Sequence, residues 1–516
     1  MTNSKQQSAL SKEQIDSVIA LYSAGQYQEA INQIKALNEV YPNTPLLFNL
    51  IGACYKSLGQ LEGSAKMFET AVNIKPDYAE AHKNLGITLK DLGRLDAAVD
   101  SLNQAIAIDP NYVDAHYNLA ITLKDLNQFD DAVKSYQKVL EVNPNFAQAY
   151  NNLGNLLKDL GQTDESIKNY QKAIEINPNF AHAYNNLGNA FKDLKKLKEA
   201  VSHYEKAIEE NPNFSEAHNN LGNVFKDLGE LDNAINSYQK AAHLDNTQYE
   251  SYYNLGVAFI QLKRFNKAIE SLQTAIEINP NFAQSYNNLG SALMSQGRLK
   301  ESINYFKKAL DVDAGYVYAH NNLGIALTDL GQLKAGAKSI EKAIEIDPDF
   351  AEAHNSLGNI FKKFKKRDKA LICYERAYEI KPDMDFVLGS VLNSKMHLCI
   401  WGELSSQIED LVRRVDNNEK TIDPFNQLGL IDNPQLQRKT TEIRMNSAHP
   451  KSHILSKINP YLNHSKIRIG YFSADFKIHP VSTLTAELYE VHDRDHFEVH
   501  AFSFGPDTND EMNLRI

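Results

Sequence analysis

From about Ser11 the apolar residues fall in short helical stretches parted by polar breaks, and the stretches return in one fixed register. The marker is a small residue, usually behind Leu: Gly52, Gly86, Ala120, Gly154, Gly188, Gly222, Gly256, Gly290, Gly324 and Gly358, each 34 residues after the last. Twelve places further on comes a second small residue (Ser64, Ala98, Ala132, Ser166, Ala200, Ala234, Ala268, Ser302, Ala370), and seven later a third (Ala71, Ala105, Ala173, Ala207, Ala275, Ala343, Ala377). Between these two stands a large residue, commonly aromatic: Phe68, Tyr136, Tyr170, Tyr204, Tyr238, Phe306, Tyr374. The pattern predicts two antiparallel helices per unit, close-packed at the small positions with the large residue filling the space they leave. A proline closes most second helices (Pro42, Pro76, Pro110, Pro144, Pro178, Pro212, Pro280, Pro348, Pro382), because it lacks the donor N–H and turns its predecessor away from helix. Asn246 and Ala314 stand in that place in two units, whose turns are expected to be less firmly fixed.

A period of 34 residues identifies a tetratricopeptide (TPR) array. Val18 and Ala30 lie in register with the first marked unit, so eleven units are expected over residues 11–384, after a disordered stretch at 1–10. Residues 385–420 keep a helical pattern and hold the single tryptophan, Trp401, as a cap or transition would. Residues 421–465, punctuated by Pro424, Pro434, Pro450 and Pro460, read as a linker with one helix near Gln435 to Met445.

Composition narrows the function. The 516 residues carry 54 Lys+Arg against 65 Asp+Glu, a formal charge of −11, and no basic arm or stripe of the kind phosphate binding needs, so nucleic acid is not an expected partner. Neutral or basic polypeptides fit better. Cys54, Cys373 and Cys399 are far apart and form no CxxC pair, which indicates neither a disulfide framework nor a zinc cluster and points to a reducing compartment. With no apolar leader and no run of about 18 apolar residues, the chain reads as soluble and cytoplasmic, without a membrane association.

Two polar rows accompany the repeat. The residue two before the marker is Asn84, Asn118, Asn152, Asn186, Asn220, Asn254, Asn288 and Asn322 in eight consecutive units, although asparagine is a poor helix former. Seven residues later, on the same helical face, stand Asp91, Asp125, Asp159, Asp193, Asp227 and Asp329. A side-chain amide offers donor and acceptor together, which suits the backbone of an extended peptide of any sequence, and the aspartates would add a preference for Lys, Arg or hydroxyl donors. The competing explanation is that both rows are surface residues copied by duplication. If binding is their role, replacing Asn220, Asn254, Asn288 and Asn322 together by Ala should weaken a guest and leave stability nearly unchanged. The recurrent His82, His116, His218, His320 and His354 share one place with Tyr150, Tyr184, Tyr252 and Tyr286, and are read as packing residues rather than metal ligands.

After Lys466 the period changes. IRIGYFSADF (467–476) and FEVHAFSF (497–504) read as strands, VSTLTAELYEVH (481–492) as the helix between them, so a parallel pair with a crossover is expected, opening an α/β lobe. Ser473, Asp475 and His479 would lie beyond the strand ends, where such sheets bind ligands.

The asparagine-marked array, the Trp401 transition, KIRIGYFSADFKIHPVSTL and FEVHAFSFGPDTND, in that order, resemble the protein O-linked N-acetylglucosamine transferases, including their SPINDLY-like group. The most specific part is IGYFSADFKIHP, Ile469 to Pro480. The resemblance implies an all-α TPR superhelical solenoid leading into a GT-B-type, Rossmann-like catalytic lobe. It implies an inverting transfer, without metal or cofactor, from UDP-N-acetylglucosamine to Ser or Thr hydroxyls of protein substrates held in the array. Relatives in the SPINDLY-like group can instead use a GDP-fucose donor. His479, beside Pro480, matches the family's active-site histidine. The donor site of the family lies mainly further on than Ile516, so the sequence is expected to be the N-terminal part of such an enzyme, without transfer activity alone. A homodimer through the array surface is compatible with this reading, and a non-enzymatic TPR scaffold is the alternative to it.

Overall fold

The computed structural model describes residues 10–447 with their side chains, and the backbone of 448, 467–473 and 497–503. It divides into two compact units, Met1–Asp383 and Met384–Ile516.

The first unit is an all-α TPR solenoid. Eleven helix pairs run from α1 (Lys12–Ser23) and α2 (Tyr27–Val40) to α21 (Ala351–Lys363) and α22 (Arg367–Ile380), odd-numbered helices opening each pair. The marker glycine sets the spacing within a pair. A Cβ built on Gly154 would stand 2.6 Å from the Tyr170 ring, and one on Gly222 2.6 Å from the Tyr238 ring. Hydrogen alone at these positions lets the ring lie flat against the first helix, and the rings of Tyr170, Tyr204 and Tyr238 are fully buried there. The small residues at the other two marked places, Ala200 and Ala207 among them, are also fully buried.

Burying a tyrosine demands a partner for its hydroxyl, and the residue after the glycine supplies one. Tyr170 donates to Asn155 at 2.8 Å, Tyr204 to Asn189 at 2.6 Å, Tyr238 to Asn223 at 2.8 Å and Tyr374 to Asn359 at 2.9 Å. Burial pushes all four phenols up from their ordinary pKa, which keeps them neutral donors. Where the residue after the marker is apolar, the large residue usually is too: Ile87 goes with Leu102, Val257 with Leu272 and Ile325 with Ile340.

The turns are equally regular. Within a pair the chain reverses through one left-handed residue, Gly161 at φ 76°, whose N–H donates to the carbonyl of Lys158 at 2.9 Å. Lys195 and Lys365 hold the same conformation in other units at φ 60° and 61°. Between pairs an Asn or Asp closing the second helix accepts from the N–H two residues on, Asn143 from Asn145 at 3.1 Å for example. The two turns lacking proline are bracketed in the same way: Asp245 accepts from Thr247 at 3.0 Å and Asp313 from Gly315 at 2.9 Å. The recurrent histidines brace these turns, His82 to the carbonyl of Pro76 at 2.9 Å and His354 to that of Pro348 at 3.0 Å. Among the described residues no group of three His, Cys, Asp or Glu is placed to hold a metal, and no helix is long and apolar enough to cross a membrane.

The second unit contains α23 (Val387–His397), α24 (Leu404–Asp416), the short α25 (Pro424–Gln427) and α26 (Pro434–Ala448). Val387, Leu392, Leu411, Val415 and Ile422 are among its buried apolar residues, while Trp401 is exposed. Arg444 stacks over Phe386 at 4.7 Å, tying α26 to the segment before α23. Strands β1 (Ile467–Ser473) and β2 (Phe497–Ser503) pair in parallel, Ile467 opposite Phe497 and Ser473 opposite Ser503. Residues 1–9, the helix expected at 481–492, and Asp475 and His479 lie outside the described residues.

Replacing Tyr204 by Phe leaves the Asn189 carbonyl without its donor, at an expected cost of about 1 kcal/mol, read as a lower urea midpoint. Adding Asn189→Ile, the apolar pairing that other units use, should recover most of the loss; a double variant no better than the single would show the pair to be uncoupled.

Candidate functional site

Neighbouring first helices approach one another directly, as α9 (Ala147–Asp159) and α11 (Ala181–Asp193) do, whereas second helices of neighbouring units do not come comparably close. The first helices therefore line the inner side of the array, where curvature crowds them. Both polar rows lie along this side.

The eight asparagines are half-exposed; seven reach back 35 residues to the unit before, and the eighth, Asn118, bonds within its own helix. Asn186 donates through Nδ2 to Asn151 Oδ1 at 2.9 Å, Asn220 to Asn185 at 3.1 Å, Asn254 to Asn219 at 3.1 Å and Asn322 to Asn287 at 2.9 Å. Asn84 reaches Asn49 at 3.0 Å, and Asn152 and Asn288 reach the hydroxyls of Tyr117 at 2.8 Å and Tyr253 at 3.1 Å. Asn118 would meet Lys83, which has no acceptor, and donates instead to the carbonyl of Asp114 in its own helix at 2.7 Å.

The residue before each row asparagine is thus the second half of a device that reading single positions missed. Asn151, Asn185, Asn219 and Asn287 are buried, and the amide arriving from the next unit satisfies their carbonyls. The signal was present in the sequence as a doublet: the place before the row holds Asn or Tyr in the units that accept, and Lys83 in the one that does not. Each row asparagine commits one N–H in this way. Asn152 apart, which also meets Asn151 and Tyr136, its other N–H has no hydrogen-bond partner among the described residues, nor does its side-chain carbonyl except at Asn288.

The aspartates are exposed and follow a similar rule. Lys56 pairs with Asp91 at 3.0 Å, Lys124 with Asp159 at 3.3 Å and Lys158 with Asp193 at 3.1 Å, each lysine coming from the preceding unit; Asp329 pairs with Lys363 of the following one at 3.5 Å. Asp125 and Asp227 have no ion pair among the described residues. Such exposed pairs contribute about 0–1 kcal/mol each, so they leave the row available while neutralising part of its charge. The inner face therefore offers a line of amides, four paired carboxylates and two unpaired ones.

Comparisons with known proteins agree with this architecture. TPR repeat models match residues 52–93, 88–126 and 351–384, and the model of the cilia and flagella-associated protein 70 C-terminal domain matches 116–359. The model of glycosyl transferase family 41 matches 442–516. The probable UDP-N-acetylglucosamine–peptide N-acetylglucosaminyltransferase SEC of Arabidopsis thaliana is 27% identical over 144 residues, covering 24% of this chain and 14% of that protein. Among solved structures, the APC/C hetero-tetramer Cut9–Hcn1 matches with a TM-score of 0.41 at 17% identity, over 73% of this chain and 88% of its own. YrrB, a TPR protein with an unusual peptide-binding site, matches with a TM-score of 0.32 at 28% identity, over 36% and 95%. The fold and the repeat models define a tetratricopeptide-repeat protein. Behind the array, residues 442–516 are similar to glycosyl transferase family 41, and part of the chain is similar to an N-acetylglucosaminyltransferase of which it spans 14%.

The amide bonds change what the asparagines are expected to do for stability. Asn220→Ala leaves the Asn185 carbonyl, 2% exposed, without its donor, at an expected cost of about 1–3 kcal/mol. Asn118→Ala, whose bond stays within its own helix, should cost about 0.5 kcal/mol or less. Equal midpoints for the two variants in urea unfolding would show that the bonds between units add nothing. The combined replacement of Asn220, Asn254, Asn288 and Asn322 should accordingly lower stability, rather than leave it nearly unchanged.

Proposed function

We propose that the inner face of this array holds extended polypeptides for sugar transfer from UDP-N-acetylglucosamine to their Ser or Thr hydroxyls. The observation that carries the proposal is the row of half-exposed side-chain amides along the first helices, on a chain that ends in a family 41 match. A peptide backbone presents one N–H and one carbonyl per residue, and a row of side-chain amides answers both without reading sequence. The two unpaired carboxylates, Asp125 and Asp227, would favour a guest with Lys or Arg at matching places. The transfer itself, its donor and the role of His479 are the parts of this proposal that come from family likeness.

A second reading has its own support. The bonds between units give both rows a structural use, which is what a TPR scaffold without transfer activity would also need.

The two readings separate in the organism that makes the chain. Removing the coding region for the array should abolish N-acetylhexosamine on Ser and Thr residues of cellular proteins, as read by mass spectrometry of their peptides. Loss of a deoxyhexose in its place would assign a fucose donor. Unchanged Ser/Thr glycosylation would sink the transferase reading and leave the scaffold.

A further inference from the structure

Both polar rows change character in the last unit of the array. The place of the row asparagine holds Ser356, whose hydroxyl is too short to reach back to the unit before, and the buried Asn321 Oδ1 it would meet has no hydrogen-bond partner. The place of the row aspartate holds Lys363, so that row reverses its charge, and Lys363 is spent on Asp329 at 3.5 Å. Lys362 stands where Lys124 and Lys158 stand in their own units. Those two are spent on the aspartates 35 residues on, Asp159 and Asp193, whereas the residue 35 places after Lys362 is His397. Lys362 has no ion pair among the described residues.

A cavity of about 710 Å³ lies between α19 (Val317–Asp329) and α21, and its two walls differ. From α21 come Asn355, Asn359 and Lys362, spaced four and three apart and so on one helical face, with Ser356 beside them. Asn359 and Lys362 are exposed, so a guest in the cavity can meet both directly. Asn359 gives its Oδ1 to the Tyr374 hydroxyl, which leaves its Nδ2 as a free donor. The amide of Asn355 and the hydroxyl of Ser356 have no hydrogen-bond partner among the described residues. Asp329, on the α19 wall, is the carboxylate of the lining and is held by Lys363. The lining thus carries one surplus positive charge, at Lys362, with amide and hydroxyl donors next to it. Lys365, Lys366 and Arg367 follow in the turn after α21, a concentration of positive charge on a chain whose overall charge is −11.

We infer that this cavity is a subsite for a carboxylate, the side chain of a Glu or Asp in a polypeptide lying on the inner face. A carboxylate only accepts, and the α21 wall offers it an ammonium, two amides and a hydroxyl. A guest Lys or Arg would add to the surplus charge and would have to displace Lys363 to reach Asp329. Earlier units present the opposite preference through the unpaired Asp125 and Asp227. A guest with basic residues over those units and an acidic one at the last therefore has one direction and one register on the array. The inference rests on the proposal that the inner face holds polypeptide.

Random dodecapeptides displayed on phage and selected on the purified chain test it. The selected peptides should share a Glu or Asp at one place. A synthetic copy should bind about three- to tenfold more weakly to Lys362→Gln, as weakly to the parent once its shared acid is changed to the amide, and no more weakly when both changes are made. Lys362 is exposed in the last turn of α21, where Gln is a good helix former, so the variant should keep the urea midpoint of the parent. Lys369→Gln removes a charge from the same stretch of chain but not from the cavity, and should change the affinity less than about twofold. Selection on Lys362→Glu should no longer enrich an acid at that place. Peptides without a shared acid, bound equally by parent and Lys362→Gln, or weakened as much by Lys369→Gln, would overturn the subsite while the inner-face proposal stands. Failure to select any peptide would overturn both.

Discussion

A tyrosine ring laid flat on a glycine fixes how near the two helices of a unit stand, and the array is built outward from that contact. At Gly154 and Tyr170 the ring occupies the space a Cβ would need, so the helix separation is set by sterics and changes only if one of the two residues does. The hydroxyl at the far end of the ring then has to be bonded, and Asn155 is placed one residue from the glycine to accept it. In the NNLGN segment from Asn151 to Asn155, the Leu fills the core, the Gly admits the ring and the last Asn satisfies it. The first two asparagines serve the neighbouring units.

Because each unit presents the same first helix, the separation between units is as uniform as that within them. Side chains of limited reach can then span the joint repeatedly: an amide of about the length of Asn, and a Lys–Asp pair two turns along. Contacts in such an array are confined to neighbouring units, and its stability is a sum of units and joints. A directional bond at a joint therefore does more than add strength. It fixes the rotation of one unit against the next, and with it the spacing of the side chains along the inner face. The same amides that set this spacing keep a second N–H, so their structural use leaves room for the binding use proposed for them. Where the donor is absent, at Ser356, the array loses a joint bond and leaves Asn321 Oδ1 without a partner.

Much of this was legible from residues alone, for a physical reason. A 34-residue period, the small positions, the large residue between them and the closing proline are demands of local geometry, repeated often enough to be read without a partner structure. The parallel pairing of Ile467–Ser473 with Phe497–Ser503 was legible too, since the apolar strands are separated by a crossover length. The asparagine and aspartate rows were visible as rows. Their partners were not, because the bonds run from one unit to the residue 35 places back, and an expectation built within one unit assigns the residue before the row no task.

The sequence by itself determined the helix pairs, their order and the face that carries the amides, since these follow from period and side-chain size. Only the tertiary structure decided which polar groups are spent and which are left. Whether Asn220 meets an acceptor depends on Asn185, whether Asn118 does depends on Lys83, and whether Asn321 is satisfied depends on the reach of residue 356. Hydrogen bonds reward distances and directions, and those exist only once neighbouring units are stacked.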